Sequence, residues 1–317
     1  MVIVHCSLGV DVGKDSVVVR REICGRWDSA TFPNDEAGME RLRSWLGACS
    51  GRASLESSGG FERLCARCLE SMGLQVSVHN PMKVRRLAEG LGFKAKTDAV
   101  DARVLQIASQ IAPPAPLKGK VQERLTEISR AIEQFKKDRS DYLKRMRNPW
   151  VSPEVRLSMK NVVSAISEAM KTLDKEHKRL LRENKPLQEK AKLAMTVPSV
   201  GPVLARILVA ELPENLEAYD SKQLCAYCGV APYDDSSGRR NGKKHVRGGN
   251  RNIKAGLYMP ALNAVKHQEW ARLLYGRLRA KGKCHQEAIV AVMRRLLRMV
   301  IAVLKRGSAW QAEPICT

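Results

Sequence analysis

A chain of 317 residues is long enough for two domains with hydrophobic cores, and a formal net charge of +22 at pH 7 predicts a polyanionic partner, nucleic acid before a membrane. No stretch is long and apolar enough to span a bilayer, and the first residues lack the pattern of a signal peptide, so we expect a cytoplasmic protein without a membrane partner. The nine scattered cysteines are expected to be reduced thiols.

The first third of the chain alternates β-prone and helical segments. Its start predicts three strands in a meander, and Asn34 or Asp35 can cap the helix that follows. Apolar runs and helical periodicity then predict a strand ending at Glu56, a helix, another strand and two more helices. Three strands followed by alternating helices and strands make an α/β order with a mixed sheet. The predicted strands cover 2–12, 16–20, 27–32, 53–56 and 74–79, and the last two helices cover 82–91 and 98–111.

This order resembles the ribonuclease-H-like fold in its Holliday-junction-resolvase, or RuvC-like, branch. In that fold one acid lies on the first strand, one on the fourth, and the last acids on a late helix that crosses the sheet. Asp11, Glu56, Asp98 and Asp101 fall in those places. Two Mg²⁺ ions need several oxygen ligands of this kind, and a spacing of three puts Asp98 and Asp101 on one helix face. The resemblance therefore implies a metal site for Mg²⁺, with Mn²⁺ as an alternative ion.

Each of these acids also has an ordinary structural interpretation. Asp11 and Glu56 can be strand-end acids, and Asp98 can be a helix N-terminal acid that the helix dipole favours. Asp11 fits this interpretation least well, because an acid inside an apolar strand needs a partner or a metal. The joint placement of four acids favours the metal site. The other acids of this region are expected to be solvated, namely Asp15, Asp28, Asp35 and Glu62.

Residues 113–190 are predicted to connect a domain over 1–112 with a second domain over 191–317. Three prolines within 113–116 form a stiff break after the first domain. Beyond them, apolar residues with heptad-like spacing run from 121 to 142 and from 159 to 180, which predicts two antiparallel helices in a coiled-coil arm. Such an arm can carry a dimer contact, or it can be an intramolecular hairpin packed on its own domain.

The domain over 191–317 is predicted to be mainly helical. It starts with Pro198-Ser199-Val200-Gly201, a turn of the form Pro-x-x-Gly that resembles a helix-hairpin-helix. In that motif, backbone N–H groups near the glycine, here Gly201, bind a DNA phosphate. A plain pair of packed helices accounts for the turn equally well.

The next stretch carries a more specific resemblance. The segment 224–232 is followed by Ser236-Ser237-Gly238, by a basic, glycine-rich run to Arg251 and by a long helix. This succession resembles the transposase domain of the insertion-sequence 110 family, which is also seen in the Piv-type invertases. Those proteins join it to a RuvC-like DEDD domain, and the stretch 96–102 is similar to theirs as well. The resemblance covers nearly the whole chain.

The resemblance implies a prokaryotic DNA recombinase or transposase in which Ser237 attacks a DNA phosphate and forms a phosphoserine intermediate. Ser236 is the neighbouring alternative. A serine hydroxyl is a poor nucleophile unless a base or a metal activates it, and the acidic cluster of the same or another protomer is the candidate activator. The implied partners are double-stranded DNA, a structured noncoding RNA from the element, and further copies of the chain in a homodimer or tetramer.

Basic residues concentrate after the serine. Residues 238–308 contain 18 Lys or Arg and two Glu, which gives this segment a net charge of +16. Generic attraction to the DNA backbone accounts for much of this charge, especially for Lys243 and Lys244. The residues predicted to bind phosphates are Arg239, Arg240, Lys243, Lys244, Arg247 and Arg251.

Two Cys-x-x-Cys pairs invite a zinc interpretation, Cys65 with Cys68 and Cys225 with Cys228. The pairs lie far apart in sequence and lack histidine companions, so no zinc is expected. Both pairs fit buried small apolar positions on helices.

The main alternative function is a Mg²⁺-dependent endonuclease like a Holliday-junction resolvase, which cuts DNA without a covalent intermediate. Ser237 would then only contact a phosphate. A third class is a noncatalytic scaffold that binds nucleic acid. The acidic cluster argues against the scaffold, because four acids repel DNA unless metal ions neutralise them.

Overall fold

The computed structural model describes residues 4–95, 97–112, 117–237, 240–242 and 244–311. The chain divides into two compact units, Met1–Leu117 and Lys118–Thr317. The two long helices that follow the proline-rich break, assigned above to a connector over 113–190, belong to the second unit. In the described part of the chain, no helix is long and apolar enough to cross a membrane.

The first unit contains a five-stranded mixed sheet, which confirms the predicted α/β order. The strands lie in the order β3-β2-β1-β4-β5. β1 is antiparallel to β2 and parallel to β4, and β4 is parallel to β5. This arrangement is consistent with the RuvC-like fold. The strands are β1 (Val4–Val12), β2 (Ser16–Ile23), β3 (Arg26–Pro33), β4 (Cys49–Glu56) and β5 (Gln75–His79).

Four helices complete this unit, close to the predicted positions. Asp35 caps the first of them, because its side chain accepts a hydrogen bond from the backbone N–H of Gly38 at 2.7 Å. Thr97 caps the fourth, whose first residue is Asp98 as predicted. The helices are α1 (Glu36–Leu46), α2 (Glu62–Ser71), α3 (Pro81–Gly90) and α4 (Asp98–Ile111).

The two faces of the sheet are covered differently. One face forms a hydrophobic core in which Leu8 and Leu55 of the strands pack with Leu42 of α1 and Leu69 of α2. The opposite face carries α4, which lies against β1 at Gly9. A Cβ atom on Gly9 would lie 1.9 Å from the carbonyl oxygen of Ala102. Only glycine allows α4 to approach β1 so closely, and this approach brings the start of α4 to the end of β1.

The second unit is mainly helical. Two long helices, α5 (Lys120–Met146) and α6 (Pro153–Glu183), pack along each other. The main core is formed by residues from 194 to 303, with Leu208, Ile253 and Leu296 fully buried or nearly so. The remaining elements are α7 (Lys185–Met195), α8 (Pro202–Glu211), α9 (Ser221–Tyr227), β6 (Pro232–Tyr233), β7 (Ser236–Ser237), β8 (Arg240–Asn241), β9 (His245–Val246), α10 (Arg251–His267), α11 (Glu269–Ala280) and α12 (His285–Arg306).

The helix pair α5 and α6 matches the two helices predicted for the arm, and side chains of the local sequence cap α6 and the helix that follows it. The Ser152 side chain accepts a hydrogen bond from the Val155 N–H and caps α6, and Asn184 caps α7 in the same way. His177 and Leu180 of α6 are buried. The coiled-coil geometry and the dimer contact stay predictions.

Replacing Gly9 with alanine is expected to lower the stability of the first unit, because the new methyl group would overlap the backbone of α4. Overpacking of this kind costs about 1–3 kcal/mol. Thermal unfolding of the full chain measures the effect. Gly90→Ala is the matched control, because a Cβ atom at Gly90 meets nothing within 4 Å. Equal melting temperatures for the two variants would contradict the close packing of α4 on β1.

Candidate functional site

The four predicted acids come from three elements that meet at one edge of the sheet. Asp11 is the second-to-last residue of β1, and Glu56 is the last residue of β4. Since β1 and β4 are parallel and Val10 pairs with Leu55, Asp11 and Glu56 lie at the carboxyl ends of neighbouring strands. Asp98 and Asp101 occupy the first turn of α4.

Asp11 has a strongly perturbed carboxyl group. Its pKa is raised from 3.8 to about 6, first by burial and then by the charges of Asp101, Asp98 and Glu56. Coulomb repulsion falls with distance, so the influence of all three agrees with the strand register and the helix start, which place these acids at one edge of the sheet. The structure therefore brings together the four acids that the sequence singled out.

The cluster is not arranged as a finished metal cage. Among the residues that the structure describes, no group of three or more His, Cys, Asp or Glu side chains is placed to hold a metal ion. The donor set is nevertheless of the right type, because Mg²⁺ and Mn²⁺ prefer carboxylate oxygens. Metal binding would require these carboxylates to come closer together, and it stays a prediction.

A histidine next to the cluster was not identified from the sequence. His79 ends β5 and pairs in register with Glu56. Its Nε2 hydrogen-bonds to the Oγ of the buried Ser54 at 2.9 Å. Burial, followed by the charge of Lys83, lowers the pKa of His79, so the imidazole is neutral near pH 7. A neutral ring beside Glu56 adds no positive charge that would stabilise the four acids.

The expectation that Glu62 is solvated was wrong. Its carboxylate is buried and accepts hydrogen bonds from the Ser58 N–H, the Ser58 hydroxyl and the Gly60 N–H at 2.8–3.0 Å. Burial raises the pKa of Glu62, but these hydrogen bonds outweigh burial and the pKa is lowered. Glu62 thus fixes the loop that follows Glu56. Asp15, Asp28 and Asp35 are exposed as expected.

The predicted serine lies in a loop built from two short antiparallel ladders. β6 pairs with β9, and β7 pairs with β8, where Ser237 stands opposite Arg240. Ser237 is exposed. Along the chain the β7–β8 ladder lies inside the β6–β9 ladder, so Ser237 belongs to the inner ladder, and its exposed side chain is open to a large substrate.

The two ends of this serine loop, 230–248, meet at a crossing of two glycines. A Cβ atom on Gly249 would lie 2.2 Å from the Cα atom of Gly229, and both residues have positive φ angles. The backbone N–H of Asn250 donates to the carbonyl oxygen of Tyr227 at 2.7 Å. The loop therefore leaves from and returns to one fixed point.

A buried carboxylate anchors that point. Glu211, the last residue of α8, is 0% exposed. Arg130 of α5 donates two hydrogen bonds to it at 3.1 and 3.2 Å, and the side-chain amides of Asn250 and Asn252 donate at 2.9 and 2.8 Å. Lys118 Nζ lies 3.5 Å from the same carboxylate.

The ionised form of Glu211 is the stable one. Burial alone raises the pKa of this carboxyl group, but the hydrogen bonds and charges of Arg130 and Lys118 outweigh burial, so its pKa lies below the ordinary value. The Asn250 side chain also caps α10 by accepting from the N–H groups of Asn252 and Ile253. One carboxylate thus joins α5, α8 and the start of α10, directly after the serine loop.

Sequence reasoning missed Glu211 although a signal was present. The helix 202–211 is apolar except for Arg206 and Glu211. An acid in such a segment needs a partner, which is the rule that drew attention to Asp11. The partners Arg130 and Asn250 are distant in sequence, and no local pattern pointed to them.

The predicted phosphate-binding residues are partly described. Arg247 is exposed, with its guanidinium 5.4 Å from the centre of the Tyr233 ring, and Arg251 is exposed at the start of α10. Lys244 forms an exposed ion pair with Asp234 at 2.7 Å. Gly201 is exposed and is the N-cap of α8. The residues that the structure describes do not include Arg239 and Lys243, nor the side chains of Ser236 and Arg240.

The four acids belong to the first unit, whereas the serine loop and the basic residues belong to the second. The two Cys-x-x-Cys pairs are buried, as expected for small apolar positions. Cys65 and Cys68 lie on α2, and Cys225 and Cys228 lie at the end of α9.

Both units of the chain match family models of known proteins. Residues 191–276 match a family model described as Transposase IS116/IS110/IS902 family. Residues 8–149 match a model of the IS110 DEDD type that is described as Transposase. The two matches leave out only the segment between them and the two ends of the chain.

Known relatives align with nearly the whole chain. A pilin gene-inverting protein of Moraxella bovis is 26% identical over 311 residues, which cover 95% of this chain and 96% of the relative. A pilin gene-inverting protein of Moraxella lacunata is similar to the same extent. A protein of insertion element IS110 from Streptomyces coelicolor is 28% identical over 157 residues, which cover 49% of this chain and 38% of that protein.

Replacing Asp11 with asparagine is expected to stabilise the protein near pH 7.5 in the absence of divalent cations. The folded-state pKa of about 6 lies above the unfolded value of 3.8, so the folded chain loses stability as the pH rises from about 4 to about 6. Above that range the pKa shift corresponds to a loss of about 3 kcal/mol in the free energy of unfolding. Because solvent screens a partly exposed group, we expect a loss of roughly 1–2 kcal/mol. Urea unfolding at about pH 5 and about pH 7.5 measures it.

Asp15→Asn is the control for this experiment, because Asp15 is exposed. The gain for Asp11→Asn should be larger at the higher pH, and the control should show little change at either. An equal gain at both values would refute the repulsion among the four acids.

Replacing Glu211 with glutamine is expected to destabilise the second unit by about 3 kcal/mol, because Arg130 and Lys118 lose the charge that they share. The exposed Glu217→Gln is the matched control and should change stability by less than about 0.5 kcal/mol. Thermal unfolding of the full chain measures both. A melting temperature of Glu211→Gln equal to that of the control would show that the network does not support the fold.

Proposed function

We propose that the chain is a DNA recombination enzyme of the IS116/IS110/IS902 transposase family, whose models match both of its units, and that it cuts and rejoins DNA through a phosphoserine intermediate at Ser237. The observation that carries this proposal is the exposed Ser237 in a loop whose two ends are anchored, within the most basic part of the chain. The double ladder around the serine and the Glu211 network below it are what a reacting hydroxyl needs in order to be held in place.

In the proposed reaction, Ser237 Oγ attacks a DNA phosphorus and loses its proton. A new P–O bond to serine forms, the bond to one deoxyribose oxygen breaks, and that oxygen leaves as a hydroxyl group. A deoxyribose hydroxyl of the exchange partner then attacks the phosphoserine, which restores a phosphodiester bond and releases the serine. Each step replaces one phosphate ester by another, so no bond energy is lost between cutting and rejoining.

We further propose that Asp11, Glu56, Asp98 and Asp101 bind Mg²⁺, or alternatively Mn²⁺. The raised pKa of Asp11 supports this, since burial and the charges of the other three carboxylates raise it. A bound ion would polarise a phosphate oxygen and lower the pKa of a hydroxyl group. The carboxylates would position the ion, and a proton held by Asp11 would be released to solvent when the ion binds, because metal ligands must be deprotonated.

The basic residues around the serine loop are proposed to contact DNA phosphates. Arg247 and Arg251 are exposed, and Arg239, Arg240 and Lys243 follow the serine in sequence. Guanidinium groups bind phosphate oxygens through paired hydrogen bonds and stabilise a phosphorus centre that gains negative charge. Lys244 shares its charge with Asp234, so its contribution is expected to be smaller.

Further proposals concern the partners. Double-stranded DNA is the substrate of a recombinase of this family, and the names of the Moraxella relatives suggest inversion of a DNA segment as one outcome. A structured noncoding RNA as guide and a homodimer or tetramer as the active assembly follow from the family resemblance. The positive net charge of +22 is compatible with both nucleic acids.

A second candidate function is a metal-dependent nuclease that acts like a Holliday-junction resolvase. The observation that favours it is that the four acids converge in the first unit, which does not contain Ser237. In this case water is the nucleophile, and Ser237 contacts a phosphate without forming a bond to it.

A covalent trap distinguishes the two functions. The protein is expressed with a plasmid that carries the full flanks of its element, and DNA attached to denatured protein is measured. We expect an adduct that depends on Mg²⁺, is lost in Ser237→Ala and Asp11→Ala, and persists in Ser236→Ala. Strand breaks without an adduct, unaffected by Ser237→Ala but lost in Asp11→Ala, would establish the nuclease instead.

A further inference from the structure

The outermost strand of the sheet, β3, exposes one of its faces. Register pairs Arg20 with Ser29 and Glu22 with Trp27, so these four side chains share a face of β2 and β3. On β3, Trp27, Ser29 and Thr31 are exposed, and the Trp27 side chain is 63% exposed. A large aromatic side chain on an exposed edge strand is costly to leave in water and risks pairing with other chains, so it requires an explanation.

Positive charge lies beside this indole ring. The guanidinium carbon of Arg20 is 4.1 Å from the centre of the Trp27 ring. The Arg20 Nε atom is buried and has no hydrogen-bond partner among the described residues. Burial and then the charge of Arg103 on α4 lower the pKa of Arg20, and Glu22 opposes this effect. The Arg103 guanidinium itself lies 5.1 Å from the centre of the Phe93 ring. An anion near both arginines would relieve their repulsion, and Arg20 would place it beside the exposed Trp27 ring.

The carboxylate of Glu22 on this face already accepts hydrogen bonds. The Glu22 carboxylate accepts hydrogen bonds from the side-chain amides of Gln106 and Gln110 of α4, at 2.7 and 3.3 Å. These bonds hold Glu22 against α4. Arg20 and the exposed Arg103 therefore keep donor capacity for a ligand.

This face is continuous with the acidic cluster. Asp11 of β1 pairs with Val18 of β2, and Gly9 pairs with Arg20. Arg20 therefore lies on the same face of the sheet as Asp11, on the neighbouring strand and two residue positions closer to the start of β1. Strand geometry places Arg20 about 7 Å along the sheet from Asp11, and it places Trp27 roughly 17 Å from Asp11. A strand of nucleic acid bound at the acids would pass Arg20 before it reaches Trp27.

We propose that this face, defined by Arg20, Trp27, Ser29 and Thr31 with Arg103 beside it, binds a single strand of DNA that leaves the acidic cluster. One base stacks on Trp27 and one phosphate lies between Arg20 and Arg103. An indole ring stacks only on a base that has left its duplex stack, and such stacking contributes about 1–3 kcal/mol per base. This inference rests on the proposed function, because the acids must act on DNA in order to deliver that strand.

Photocrosslinking of the full chain tests the inference. The probe is a DNA duplex with a single-stranded arm of about 15 nucleotides that contains 5-iodouracil, bound in Ca²⁺ and irradiated. Mass spectrometry then identifies the linked peptides. We expect a crosslink at Trp27 that is lost in Trp27→Thr and kept in Trp27→Phe, since phenylalanine preserves a stacking ring. Threonine is chosen because it suits an exposed strand.

Trp150→Thr is the matched control, because Trp150 is 92% exposed but belongs to the second unit. It should leave the Trp27 crosslink unchanged. An RNA arm of the same length tests the alternative strand. The absence of a Trp27 crosslink, or a stronger crosslink with RNA than with DNA, would overturn the assignment.

Salt dependence gives a second measurement. Arg20→Gln and Arg103→Gln should each reduce the slope of log affinity against log salt, and the double variant should reduce it by roughly 0.7, the value for the one phosphate that the two arginines share. Arg156→Gln, on α6 of the second unit, should leave binding to this face unchanged. Unchanged slopes in both face variants would contradict a phosphate between the two arginines.

The failure of this inference can be told apart from failure of the proposed function. Crosslinking is measured without catalysis, in the wild type and in Ser237→Ala. A Trp27 crosslink without any covalent serine adduct would support the DNA-binding face and reject the phosphoserine reaction. A serine adduct without a Trp27 crosslink would reject the face alone.

Discussion

The second unit depends on one buried charge. Glu211 has no exposed surface, and an isolated carboxylate at such a position would cost several kcal/mol. Its cost is offset because donors from three parts of the chain converge on it, with Arg130 and Lys118 supplying charge and Asn250 and Asn252 supplying amide hydrogens. These donors can meet only when α5, α8 and the start of α10 are assembled. The same contacts close the base of the serine loop, so the stability of the fold and the position of Ser237 depend on a common group.

In the first unit, the environment of Asp11 shifts the pKa of its carboxyl group in the direction opposite to that of Glu211. The pKa of Asp11 is raised where that of Glu211 is lowered. Burial raises it first, and the charges of Asp101, Asp98 and Glu56 raise it further. The proposed metal site accounts for this contrast, because a bound cation would supply at Asp11 the positive charge that Arg130 and Lys118 supply at Glu211.

Local sequence determined most of the fold and only part of the site. The strands and helices of the first unit follow from apolar alternation and from caps such as Asp35, which act over a few residues. The acids of the cluster were identified because their order matched a known arrangement of elements. The roles of Glu62 and Glu211 were missed, because a carboxylate looks the same in sequence whether water or a buried donor surrounds it. Their partners are set by packing, and Arg130 and Glu211 are 81 residues apart.

Two regions of the chain act on DNA with opposite electrostatic effects, a basic segment that attracts it and an acidic cluster that repels it. The segment after the serine carries a net charge of +16 and attracts DNA by releasing counterions, an effect that added salt always weakens. The acidic cluster repels the same DNA until cations neutralise it. Divalent ions therefore act in opposite directions, since they compete for phosphates at the basic segment and permit approach at the acids. Under the proposed function, the chain would bind DNA through its basic residues with or without the metal, and the metal would decide only when the phosphate backbone can reach the acids.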